Sequence, residues 1–341
     1  MNGSLATQSH RLAVAFALTL VGALCLTTPA ADLPRLASGI HFQRTNLVVR
    51  WKAPSHPWPK ALWVYTVSPT RFSPTVISNL MAIGSFTEKD KKDYGTSGMV
   101  FAPPDGSRNL RISFPEGSVE YWSTRGYGPT NLARDVPRRD QLFDLTAELL
   151  PKLGISLSEI SEASGTGKPK MSFIESPMQY FLGNSVITNV ESSGVRFSRA
   201  LDGVELGGDG GNGEIDFGEH GRVTTISLSW RTMERHKLCA TATPGTLMKW
   251  LREGRAVHQP VIGESGNEIT IDWAKVKSLT VRKAQPYYWG EVYPIGARPA
   301  FPSLLRPFAA LLATADTGTA RLDLAIQCPI LDETKGTGVS K

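Results

Sequence analysis

The sequence predicts an α+β protein built from tandem units, each a short helix packed on an antiparallel β-hairpin sheet. Three observations carry this reading. One helix design, opened by Ser/Thr-Pro and closed by glycine, occurs more than once. Period-two alternation of apolar residues follows the helices, and the order helix then hairpin recurs at about one hundred residues.

The first helix opens at Ser73-Pro74, an N-cap followed by proline at the first helical position. Val76, Ile77, Leu80 and Ile83 recur at helical spacing, and Gly84 stands where a left-handed closing residue belongs. Residues 110–121 (LRISFPEGSVEY) then alternate on both sides of a Glu116-Gly117 turn, as a hairpin with one apolar face does. A second helix is predicted from Asp140 to Gly154, with Pro151 disturbing its last turn. Residues 215–228 (IDFGEHGRVTTISL) form the next hairpin, turning at Glu219-His220-Gly221. Thr243-Pro244 opens a third helix that carries Leu247, Met248, Trp250 and Leu251 on one face and ends at Gly254. Residues 268–282 read as a third strand pair with Ile269, Ile271 and Trp273 inward. The Gly-, Pro- and Ser-rich stretches 124–138 and 161–170 are loops. The predicted organisation is therefore a first unit at 40–130, a second at 137–235, and a third at 236–332 that is free-standing or an extension of the second.

Residues 1–30 read as a secretory signal peptide. Arg11 supplies the positive n-region, residues 12–26 form an apolar stretch, and Thr28-Pro29-Ala30 offers small residues for cleavage. The apolar stretch is shorter than the roughly 20 residues of a spanning helix, and no later segment is long and apolar enough to cross a bilayer. The expected location is secreted or periplasmic. Apolar content of 41% and charged content of 20% are those of a folded globule. The net charge of +6 is dispersed, and Lys89-Asp90-Lys91-Lys92-Asp93 alternates in sign, so no nucleic-acid stripe is present.

Cys239 and Cys328 are the two cysteines beyond the signal. In an oxidising compartment they can pair as a disulfide; the alternative is two buried free thiols, since Cys328 sits on the inward face of an alternating strand with Leu322, Leu324 and Ile326. Residues 207–216 (GGDGGNGEID) place Asp209, Asn212, Glu214 and Asp216 in a glycine-rich loop, but the spacing is that of neither an EF-hand nor a repeated calcium nonapeptide. His41, His56, His220, His236 and His258 form no close ligand pair, and no nucleophile elbow occurs. The sequence thus assigns no catalytic residue, metal or cofactor. Tyr287, Tyr288, Trp289 and Tyr293 offer a candidate aromatic binding face, with core packing as the alternative use of such residues.

The run Gly194 to Leu206, containing Asp202-Gly203-Val204, leads through a Gly-rich turn to Ile215-Asp216-Phe217, Gly221 and Ser229-Trp230-Arg231. With Leu149-Leu150-Pro151-Lys152-Leu153-Gly154-Ile155 before it, this resembles PepSY-type modules of peptidase propeptides and of Yyc-type sensor-kinase regulators, best over residues 140–231. The resemblance implies a non-catalytic extracytoplasmic module that binds or restrains a protein partner in the envelope or outside the cell. Two alternatives stand beside it: a glycan- or peptide-binding surface protein using the aromatic face, and a secreted hydrolase whose triad is scattered along the chain.

Overall fold

The computed structural model describes residues 40–41, 47–54, 59–93, 95–124, 131–163, 166–182, 185–262, 266–290 and 303–331, all within the unit Pro34–Lys341. The predicted signal segment 1–30, Tyr293 and the tail past Leu331 lie outside these residues. The described part is mixed α+β with strands predominating. No helix in it is long and apolar enough to cross a membrane.

The principal elements run β1 (Val48–Trp51), β2 (Ala61–Ser68), α1 (Pro74–Ile83), β3 (Gly98–Phe101), β4 (Arg108–Ser113), β5 (Ser118–Ser123) and α2 (Arg139–Leu149). They continue with β6 (Met171–Leu182), β7 (Ser185–Leu201), β8 (Val204–Gly208), β9 (Asn212–Phe217), β10 (Val223–Ser229), β11 (Thr232–Ala240) and α3 (Pro244–Arg252). β12 (Ser278–Gly290), β13 (Pro307–Asp316) and β14 (Arg321–Pro329) complete the set.

The strands join into one large sheet instead of standing as separate helix-on-hairpin units. Its order includes β14-β13-β12-β8-β7-β9-β10-β5-β4-β3, with β6 added to β7 and β1 to β12. The hairpins predicted at 110–121 and 215–228 are present, spanning 108–123 and 212–229, yet β5 pairs antiparallel with β10, placing Tyr121 opposite Ile226. Each isolated hairpin would leave two unpaired edges, and the β5–β10 ladder satisfies one edge of each. A second, three-stranded sheet sets β2 between β11 and Ser303–Leu305.

Two apolar clusters fill the space. One packs Leu80 of α1 and Leu142, Leu149 and Leu150 of the α2 region on Leu110, Val119, Val195, Ile215 and Ile226. The helices of the predicted first and second units therefore share a core. The other gathers Leu247, Trp250 and Leu251 of α3 with Leu62, Leu206, Tyr288, Leu311 and Ile326.

Local rules hold at the helix starts. Ser73 accepts from the Val76 N–H, and Thr243 accepts from the Thr246 N–H, each with proline next in sequence. α2 stops at Leu149 and tightens into a 3-10 turn that carries Pro151 and ends at left-handed Gly154. Two expectations are corrected. Gly84 has φ −86° and is not the left-handed residue; Ser85 is, at φ +53°. Glycine is needed at 84 for room, because a Cβ would lie 2.1 Å from the Phe86 ring. Residues 268–282 are not a strand pair: Glu268–Ile269 pairs with Val261–Ile262, and Asp272 then accepts from the Ala274 N–H to open a 3-10 turn. The turn buries Ile271 and Trp273, and β12 begins beyond it.

Candidate functional site

Residues 171–190 are rich in aromatic and β-branched side chains, which favour extended backbone. They form β6 and the first part of β7. Leu182 pairs with Ser185, so only Gly183 and Asn184 connect the two strands. From Ser193 onward β7 is flanked by β9 as well as by β6. Above that point the ladder from Ser176/Ser192 to Leu182/Ser185 has, among the described residues, its own two strands alone, about 20 Å of ribbon.

A bulge marks the base of this arm. Ser176 pairs with Ser192 and Pro177 with Val190, leaving Glu191 as the extra residue. Pro177 has no N–H to donate, so the outer edge of β6 is interrupted for strand addition. The base is tied down by Ser193 Oγ, which donates to the Pro137 carbonyl at 2.6 Å, and by Asn189 Nδ2, which donates to the Ala133 carbonyl at 3.4 Å.

The side chains of the arm set it apart. Residues 176–190 contain no Asp, Glu, Lys or Arg, in a chain with 20% charged residues. Directly opposite residues share a face of a ladder. Phe181 and Val186 are opposite each other and are 73% and 55% exposed; Met178, 49% exposed, belongs to the other face with Tyr180 and Ile187. A two-stranded ribbon in water gains little from such groups and is marginal by itself. Exposed apolar groups clustered on both faces mark a contact surface. Glu175 and Glu191 bracket the uncharged stretch, and burial raises the Glu191 carboxyl above its ordinary value.

The aromatic run is used differently from a binding face. Tyr287 and Tyr288 are buried. Tyr288 Oη donates to the Trp63 carbonyl at 2.6 Å, and its ring meets Tyr65 edge-on at 5.5 Å. Tyr287 packs against Phe308 at 5.6 Å and stacks beside the half-buried Trp289 at 6.5 Å. The physical reason is the position of β12, which has β13 on one side and β1 and β8 on the other, under the three-stranded sheet. Gly207 makes room for this packing, since a Cβ there would lie 2.1 Å from Tyr287 Oη.

The oxygen ligands of 207–216 have separate partners. Asp209 faces Arg231 at 3.4 Å, Glu214 pairs with Arg196 at 2.6 Å, and Asn212 donates to the Gly208 carbonyl. Asp216 is buried. Among the described residues no group of three His, Cys, Asp or Glu is placed to hold a metal. His220 is exposed, 3.9 Å from Asp135, whereas His258 is buried. Cys239 and Cys328 are both buried free thiols.

The arm residues Met178, Phe181 and Val186 are the functional candidates that motif reading passes over. Their signal is compositional: fifteen uncharged residues between two glutamates, with Gly-Asn at the centre. No protein-family model matches the chain, and no curated protein matches it.

Proposed function

We propose that this is an exported, non-catalytic binding or regulatory protein that engages a protein partner in the periplasm or outside the cell through the 176–190 arm. The observation that carries the reading is the two-faced exposure of Phe181, Val186 and Met178 on an uncharged ribbon. Such a ribbon matches an apolar cleft, because a cleft covers both faces together while a flat surface covers one. Glu175 and Glu191 at its base complement a partner whose cleft has a basic rim, and they oppose contact with an anionic bilayer. Pro177 directs recognition to side chains and away from strand addition at β6.

The same proposal takes residues 140–231 as a PepSY-like module embedded in the larger sheet. Support comes from the Asp202-Gly203 turn. Leu201 pairs with Val204, and both turn residues have positive φ, +52° and +78°, as a two-residue primed hairpin turn needs. The signal-like segment at residues 1–30 supports export.

The test compares the wild-type chain with the Met178→Ser/Phe181→Ser double variant as bait in the native envelope fraction. The proposal expects one partner retained by the wild type and at least a tenfold loss with the variant at unchanged thermal stability. Equal recovery by both baits would sink it, as would recovery of lipid without protein.

A further inference from the structure

A second surface, remote in sequence from the arm, has the make-up of a small-molecule site. It begins with the end of α3. Gly254 follows the helix with φ +72°, and the Arg255 N–H reaches back to the Trp250 carbonyl at 3.0 Å. This closing turn carries the Arg255 side chain over the indole of Trp250, with Cζ 4.5 Å from the ring centroid. Trp250 is itself buried against the core, which fixes the platform beneath the cation.

Beside this pair lies a groove of about 870 Å³, bounded by α3 and by the adjoining ends of β13 and β14. That size lies within the range of ordinary ligand sites, roughly 300–1,000 Å³. Its apolar wall includes Trp250 and Phe308, and among the described residues its charged groups are Lys249, Arg255, Arg306 and one acid, Glu253. Glu253 is engaged by Lys249 at 3.7 Å in an exposed i,i+4 pair, an interaction of little strength. Arg255 forms no ion pair among the described residues. A stacked guanidinium keeps its in-plane donors free for two parallel hydrogen bonds to a carboxylate or phosphate.

We infer that this groove binds an amphiphilic oxyanion: a carboxylate or phosphate head held by Arg255, with Lys249 and Arg306 adding positive potential, and an apolar body lying along Trp250 and Phe308. Arg255, stacked and without an ion pair among the described residues, selects for the anion over neutral and cationic ligands of the same shape. This site is independent of the arm, and either can fail without the other.

The test is calorimetric titration of the purified chain with decanoate, decyl phosphate and decanol. The expected result is saturable one-site binding of at least one of the two anions, at least tenfold tighter than decanol. Binding of decanoate alone identifies a carboxylate site, of decyl phosphate alone a phosphate site, and of both a shared oxyanion site. Arg255→Gln should weaken the bound anion at least tenfold, while Phe181→Ser leaves it unchanged. Because Arg255 packs on a buried ring, Lys249→Gln/Arg306→Gln provides a second reading should Arg255→Gln fail to fold; it should weaken the anion several-fold. Decanol binding as tightly as the anions, no binding of either anion, loss of binding in Phe181→Ser, or unchanged affinity in the folded charge variants would overturn the inference.

Discussion

The Asp202 carboxylate, at the turn between β7 and β8, accepts a hydrogen bond from Tyr65 Oη on β2 of the three-stranded sheet. Its other oxygen accepts from the Arg235 guanidinium on β11, which in turn lies 5.4 Å from the centre of the Trp63 ring. Burial, followed by the Asp202 contact, raises the Tyr65 phenol well above its ordinary value, so it stays a donor at any physiological pH. One turn residue thus fastens the large sheet to the small one.

Asp202→Ala removes both partners and places alanine at φ +52°. The expected loss is about 2–3 kcal/mol by urea unfolding, from one charged hydrogen-bond set and one left-handed residue. Arg235→Ala should cost under about 1 kcal/mol, because its side chain is largely exposed. Equal losses for the two variants would contradict this division.

Gly84→Ala tests the crowding at the end of α1. The added methyl would sit 2.1 Å from Phe86, whose ring is buried and packs at 6.0 Å on Phe101 and 6.2 Å on Tyr121. The variant should lose about 1–3 kcal/mol in urea unfolding, the usual cost of overpacking. A neutral result would show that the ring yields freely.

Asp216 carries a pH signature. Burial, then the nearby Glu214, pushes its carboxyl up to about 6, above the unfolded value near 3.9. The folded chain therefore holds this proton more tightly than the unfolded one. The resulting stability is complete below the unfolded pKa and is lost as pH rises through about 6. Asp216→Asn should raise the melting temperature at pH 7.5, by the equivalent of about 2 kcal/mol, with the gain fading toward pH 3.5. A gain independent of pH would point to another cause.

Burial pushes the Cys328 thiol up to about 12, and Cys239 is buried as well. Native chain should resist iodoacetamide at pH 7.5, since the thiolate is the reactive form. After denaturation without reductant, mass spectrometry should find both alkylated. The same spectrum reads the N-terminus: a product beginning near Ala31, without Cys25, is expected from signal cleavage, whereas an intact Met1 product would count against export by this route.

Much of the local structure is legible in the sequence. The Ser73 and Thr243 caps and the hairpins around Gly117 and Gly221 follow from rules acting over a few residues. What joins them does not. The β5–β10 ladder sets Tyr121 against Ile226, and the Asp202–Tyr65 contact spans 137 positions. Such pairings are decided by which edges remain open after the hairpins form, and they leave no local pattern. Tyr287 and Tyr288 looked available for the same reason: their covering strands come from distant parts of the chain. At the arm, the uncharged composition of residues 176–190 is present in the sequence but matches no motif, and Phe181 is exposed because no third strand lies beside it among the described residues.

The most direct test of the binding proposal is site-specific photocrosslinking in the native envelope, with a benzophenone side chain replacing Phe181 and, as a control, Arg321. Arg321 is just as exposed but lies on β14, away from the arm. The proposal predicts a discrete protein adduct from position 181 only, abolished when Met178→Ser is added. Adducts of equal yield from both positions, or adducts to lipid alone, would contradict it.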